Sequence, residues 1–201
     1  SGFPETFSSE FHPNQIDLGS DLVPLIAFVV FDKPDDMKAR EEAKKAGKCL
    51  MENIDHPTIL KENQNNPTAQ QDLDSEEIII STIKAKYPDH SFLGEELGMT
   101  ETDSEYKWII DPIDGTNNYL AGRDTFSVSI ALEKNNRIIL GVVYLPKRDE
   151  LFVAEVGQGS RLNDQPIRAS SAKDLTNAII TYSAYPGSEN AVKETFGLLF
   201  S

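Results

Sequence analysis

The chain has one cysteine, Cys49, in 201 residues. No internal disulfide can form, a cysteine-based zinc site is excluded, and a reducing compartment is favoured. Histidine is nearly as scarce. His12, His56 and His90 are scattered, and no two stand at the spacing that brings paired ligands to one metal. Each reads as a surface or loop residue. Basic residues are outnumbered, 19 Lys and Arg against 33 Asp and Glu, which leaves a formal net charge of −14. Such a surface repels nucleic acid. It also repels a small anion, unless bound cations reverse the local field. No apolar run approaches the roughly 20 residues that span a bilayer. The most apolar stretch, Leu22 to Phe31, is interrupted by Pro24 and has no Lys or Arg before it, so it lacks the basic head of a signal peptide. It reads as a buried strand or short core segment, and no membrane partner is expected. The chain opens at Ser1 and not at methionine, so its start is read as processed or missing. The lone cysteine and absent signal indicate a cytoplasmic protein.

What is present suits one globular domain, or one and a fraction, with 39% hydrophobic and 26% charged residues. Residues 1–33 carry Gly2, Pro4, Pro13 and Gly19 without a clear period and read as an N-terminal extension of unknown role. A domain over 34–201 follows. Ala39, Ala43, Ala46, Leu50 and Ile54 recur at helical spacing behind Pro34. Residues 61–71 are polar and hold Pro67, which predicts a loop or hairpin. A second helix is predicted over about 74–87, with Ile79, Ile80, Ile83 and Tyr87 as its apolar stripe and Pro88 as its end. Ser91–Glu96 reads as a short strand running into a carboxylate pair. Residues 108–111 form an apolar strand that Pro112 stops. Residues 126–133 alternate, with Phe126, Val128, Ile130 and Leu132 on one face. Asn135-Asn136 turns the chain into a strand over 138–146, and Arg148 to Glu150 turns it again into 151–156. Gly157 and Gly159 break it. Beyond Ser171 a short helix at 172–175, a strand at 178–182 and a helical tail at 191–200 are predicted. Helices first and antiparallel strands after indicate an α+β fold, a helix pair packed on a mostly antiparallel sheet.

The chemistry concentrates in Trp108 to Gly122, WIIDPIDGTNNYLAG. Asp111 closes an apolar strand and Asp114 follows three residues on, so the two carboxylates can converge on one cation. The kink also turns the Ile113 carbonyl toward the same place. Hard divalent cations take oxygen ligands, and Mg²⁺ is the usual one beside phosphates. The amides of Gly115 and Thr116 at a helix start would face an anion. Taken alone, D-P-x-D-G reads equally well as turn and capping residues. Gly94-Glu95-Glu96 is unremarkable by itself, and Asp72 by itself reads as a cap or first-turn residue.

Together these blocks resemble the inositol monophosphatase family of metal-dependent, lithium-sensitive phosphatases. An Asp before a helix (Asp72), G-E-E (Gly94 to Glu96) and W-x-x-D-P-x-D-G-T-x-N-[FY] (Trp108 to Tyr119) occur in the family's order. The strands over 126–159 are similar too, and the match runs over about 36–200. The resemblance implies the first part of the family's αβαβα layered sandwich. It implies Mg²⁺-dependent hydrolysis of a small phosphate monoester, inositol monophosphate first, with two or three ions and Li⁺ as inhibitor. Glu95, Asp111 and the Ile113 carbonyl would hold the first ion. Asp111 would bridge to a second on Asp114, and Glu95 would help place a weaker one through water. Asp72 and Thr116 would orient and activate the attacking water. Gly115 and Thr116 would grip the phosphate through their amides, and Lys61 falls where the family often has a loop lysine. Family members are often homodimers, and the residues here reveal no interface for one.

The family continues past the point that corresponds to Ser201, with a W-D-x-x-A-G block whose Asp completes the second metal site. The only tryptophan here is Trp108, so the C-terminal half is read as missing. The chain alone is then expected to bind metal weakly and to be inactive or nearly so. The rival expectation is a truncated, catalytically impaired relative that acts as a binding or scaffold protein.

Overall fold

In the computed structural model, residues 36–61 and 67–171 are described. The first element, α1 (Asp36–Glu52), buries the alanine face Ala39, Ala43, Ala46 and Leu50. A two-stranded hairpin follows, β1 (Ile59–Lys61) and β2 (Thr68–Ala69). It leads directly into α2 (Gln70–Lys86), which begins earlier than the apolar stripe predicts. Its first two turns bury Gln71, Asp72, Ser75 and Glu76, so an inward polar face was invisible to hydrophobic periodicity. The expected extension at 1–33 and the elements beyond Ser171 lie outside the described residues.

The remaining strands are β3 (Ser91–Gly94), β4 (Met99–Thr100), β5 (Tyr106–Asp114), β6 (Ser127–Lys134), β7 (Arg137–Leu145), β8 (Glu150–Glu155), β9 (Gly159–Leu162) and β10 (Gln165–Ile167). A five-residue helix, α3 (Thr116–Leu120), lies between β5 and β6. The strands form one eight-stranded sheet in the order β10-β9-β8-β7-β6-β5-β3-β4, antiparallel except for the β3–β5 pair. This is the expected α+β arrangement, with α1 and α2 packed together and against the sheet, and all of it lies within one compact unit. The register puts Trp108 opposite Leu132, Ile110 opposite Ile130, Ile130 opposite Val142 and Val142 opposite Val153. These buried side chains therefore share a face, each contributing about 1.5–3 kcal/mol by leaving water.

Two turns fit their sequences closely. Asn135 and Asn136 have φ of 50° and 61°, and Asn163 and Asp164 have φ of 45° and 66°. Left-handed pairs of this kind match the twist of a tight hairpin, and Asn and Asp tolerate them best. The second pair makes the β9–β10 hairpin, whose strands carry no alternating apolar pattern to predict them. Pro112 does not end its strand. β5 runs on to Asp114, but Asp111 pairs with Ser129 and Asp114 with Ser127, so one extra residue bulges between them. Proline has no N–H for the ladder, and a bulge is where a strand tolerates it.

At the other end of β5 a stack of rings closes the core. The His90 ring lies 4.8 Å from the Tyr87 ring and 4.8 Å from the Tyr106 ring, nearly parallel to both. The Trp108 indole N–H donates to His90 Nδ1 at 3.0 Å. The histidine at this turn is thus a satisfied, half-buried group. Burial holds its pKa below the ordinary value, against a smaller opposing pull from Asp89. An acceptor Nδ1 requires the neutral ring, so this contact contributes stability above about pH 6.5, lost as pH falls through the lowered value. Because Trp108 is the only tryptophan, its emission should show one acid transition with a midpoint below that of free histidine. The transition should vanish in His90→Asn. An emission profile identical in parent and variant would contradict the assignment.

No helix among the described residues is long and apolar enough to cross a membrane.

Candidate functional site

The parallel pairing of β3 with β5 is what assembles the site. Gly94 is in register with Ile110, so β3 ends where β5 reaches its bulge. Glu95 emerges beside Asp111, and its amide is tied to the Ile110 carbonyl at 3.2 Å. The bulge at Pro112 then turns Asp114 toward the start of β6, where Ser127 is its pairing partner and hydrogen-bonds its carboxylate. α2 brings Asp72 to the same place, from the third position of its first turn. Ala69, the N-cap, has no side-chain acceptor, and the Asp72 Oδ2 accepts from the Ala69 amide at 2.7 Å. Only the reciprocal half of a capping box is made. Asp72 is thus a first-turn residue that also faces the site.

The carboxylates act on one another. Burial, then the charges of Glu95 and Asp114, push Asp111 up to about 9. Its carboxyl hydrogen-bonds Glu95, which is itself displaced upward by burial despite that bond. Two acids this close share a proton. Asp114 is raised by burial, offset by Ser127. Burial raises Asp72 to about 7, and the charges of Glu96 and Glu95 add to it while the Ala69 amide opposes. Asp111 Oδ1 is buried with no hydrogen-bond partner in the described structure. A buried orphan oxygen among like charges is costly, and a cation relieves both penalties. An all-oxygen, multiply anionic donor set is the kind that hard divalent cations take, so these residues fit Mg²⁺ chemically. Among the described residues no group of three or more Asp, Glu, His or Cys side chains already stands in ligating position.

Thr116 opens α3. Its hydroxyl donates to the Ile113 carbonyl at 3.0 Å and sits 3.5 Å from Asp72 Oδ1, so the Ile113 carbonyl, Thr116 and Asp72 form one contiguous group. Gly115, the N-cap of α3, has φ of 94° and ψ of 41°. Tyr119 fastens this helix to the core, donating from its hydroxyl to the Leu50 carbonyl at 3.1 Å, with its ring edge-on to Phe126. Lys61 lies at the end of β1, paired through its backbone with Thr68.

The structure thus brings together Asp72, Glu95, Asp111, Ile113, Asp114, Gly115 and Thr116 from three separate stretches of chain. Sequence reasoning missed Ser127, on the strand facing Asp114, and Glu76, one helical turn after Asp72. It also treated Glu95 and Glu96 as a pair. Glu96 instead accepts from the Thr68 hydroxyl at 3.2 Å, while Glu95 meets Asp111. The alternation of a strand's exit could have separated them.

The sequence model of the inositol monophosphatase family matches residues 33–199. The protein named Nus factor SuhB from Haemophilus influenzae is 41% identical over 142 residues, covering 69% of this chain and 53% of that protein. The crystal structure of the extragenic suppressor protein suhB from Bartonella henselae aligns with a TM-score of 0.67 at 35% identity, over 70% of this chain and 56% of that one. The Thermotoga maritima IMPase aligns with a TM-score of 0.63 at 32% identity, over 69% and 55%. The chain spans about half the length of the curated relatives it matches.

Proposed function

The chain belongs to the inositol monophosphatase family, and on that premise we propose that the whole protein hydrolyses a small phosphate monoester, inositol monophosphate first among candidates, with Mg²⁺ at the carboxylates of Glu95, Asp111 and Asp114. The observation that carries this reading is the buried, unpartnered Asp111 Oδ1, on a carboxyl that burial and the neighbouring Glu95 and Asp114 push up to about 9. Glu95, Asp111 and the Ile113 carbonyl would hold one ion, and Asp111 and Asp114 a second. Bound Mg²⁺ supplies charge neutralisation for the phosphoryl oxygens, acidifies water and stabilises the departing alkoxide.

The chain's own residues do the rest. Asp72, whose Oδ1 lies 3.5 Å from the Thr116 hydroxyl, is placed to accept a proton from the attacking water. Thr116, between Asp72 and the Ile113 carbonyl, orients that water through its hydroxyl. The Gly115 and Thr116 amides grip the phosphate, and Lys61 adds a positive charge in the segment leading to Asp72. Phosphate-monoester hydrolysis is among the slowest uncatalysed reactions, so positioning and charge must act together.

A second reading is supported by the relatives named Nus factor SuhB: a binding role in which turnover is dispensable. Phosphate release from inositol monophosphate by the complete protein, with and without Mg²⁺, separates the two. Mg²⁺-dependent release that disappears in Asp72→Asn supports the enzyme. Metal-independent release, or none at all, would reject it.

A further inference from the structure

Glu76 is a buried carboxylate that the chemistry above leaves unused. It is fully buried and sits four residues after Asp72, on the same face of α2. Both of its oxygens are engaged by successive backbone amides of the turn after β3. Glu96 donates to Oε2 at 2.9 Å and Leu97 to Oε1 at 3.0 Å. The turn is closed by the Gly94 amide, which donates to the Gly98 carbonyl at 2.9 Å. Gly94 makes this possible, because a Cβ there would lie 1.6 Å from Glu76 Oε1. The glycine of G-E-E is therefore a space reserved for another residue's carboxylate.

We infer that Glu76 is a positioning residue for the metal site, clamping the Gly94–Leu97 turn so that Glu95 is presented to Asp111 at a fixed distance from Asp72. The inference rests on the metal-dependent reading above. The logic is mechanical. Glu95 is held on one side by its amide bond to the Ile110 carbonyl. On the other side, the two residues that follow it are held by Glu76. Because Asp72 and Glu76 are one turn apart on one rigid helix, α2 sets the position of a site residue directly and of Glu95 through the clamp. Two amide donors on one carboxylate are charge-assisted bonds, stronger than neutral ones. Outer-shell groups that orient a metal ligand typically change affinity by about 10- to 100-fold.

The test uses the full chain and Mg²⁺ alone. Glu76→Gln replaces one acceptor oxygen with an amide group that faces a donor. It should weaken Mg²⁺ binding, read by calorimetry, by about 10- to 100-fold, and speed hydrogen exchange at the Glu96 and Leu97 amides while circular dichroism stays native. Should that variant fail to fold, Glu76→Asp retains the charge but withdraws it by one methylene, and should show the same two changes. Gly94→Ala should weaken Mg²⁺ binding similarly. Combined with Glu76→Ala it should add almost nothing, because the clash has gone. If the parent binds Mg²⁺ and both Glu76 variants bind it equally well, with only a lower melting temperature, Glu76 is merely structural and the inference is overturned. If the parent itself binds no Mg²⁺, the failure is that of the metal reading, while the exchange rates at Glu96 and Leu97 still decide whether the clamp exists.

Discussion

Asp111→Asn is expected to make the metal-free protein more stable while abolishing its response to Mg²⁺. In the folded chain this carboxyl is driven to about 9, by burial first and then by Glu95 and Asp114. At about pH 8 folding must therefore carry a proton onto a group that is ionised in the unfolded chain. Asparagine needs no proton and presents a donor that Glu95 can accept. The gain should be about 1–3 kcal/mol, a screened share of the cost of that proton, which for a chain of this size is a rise of about 2–12 °C. The same substitution removes the anion that would be shared between two ions, so turnover by the complete protein should fall about 10²- to 10³-fold, as when a charge-stabilising group is lost. Thermal unfolding of parent and variant, with and without Mg²⁺, reads both effects. A variant less stable than the parent without metal, or one that still responds to Mg²⁺, would contradict this account of Asp111.

Gly115→Ala should be nearly as damaging, for a reason of geometry and not of charge. The residue sits at φ of 94°, and an added Cβ would lie 3.0 Å from the Thr125 carbonyl oxygen and 3.5 Å from the Phe126 Cα. A side chain is strained in that backbone region, at a cost of about 1–3 kcal/mol, and the contact with Thr125 is to backbone that cannot rotate aside. The strain falls between Asp114 and Thr116, so both are displaced. Small misplacements of this kind cost about 100-fold in rate. Gly159→Ala is the control. Its φ of 76° is also left-handed, but nothing lies within 4 Å of the added carbon. Gly159→Ala should carry backbone strain alone and leave less activity lost. Equal losses in the two variants would mean that crowding at Gly115 is unimportant.

Much of the fold was legible because apolar spacing reports directly on packing. The alanines of α1 and the alternating Val128, Ile130 and Leu132 of β6 are buried as their spacing predicts, and Asn135-Asn136 marks its turn. Where polar groups are buried, the signal inverts. The start of α2 was placed late because Gln71, Asp72, Ser75 and Glu76 face inward there. Pro112 was read as a stop because proline breaks a ladder, yet a bulge carries β5 past it to Asp114. The motifs name the candidate site residues but not how they assemble: the parallel register of Gly94 with Ile110 cannot be read from either segment alone. Glu76 left only a faint trace, an acid at helical spacing from Asp72 and a glycine ahead of Glu95 whose purpose was unseen.

Protons and Mg²⁺ should compete for one set of carboxyls. Asp72 and Asp111 have folded values raised to about 7 and about 9. Their contribution to the stability of the metal-free chain is therefore fully present below about pH 3.9 and is lost as pH rises through those values. Mg²⁺ replaces the protons. The decisive measurement is a Mg²⁺ titration of the chain followed by thermal unfolding near pH 5.5 and near pH 8, within the window in which both groups titrate. Shared cation binding at Glu95, Asp111 and Asp114 predicts a larger stabilisation at the higher pH, and none at either pH in Asp111→Asn. A Mg²⁺ effect that is absent, or that is equal at both pH values and survives in Asp111→Asn, would contradict it.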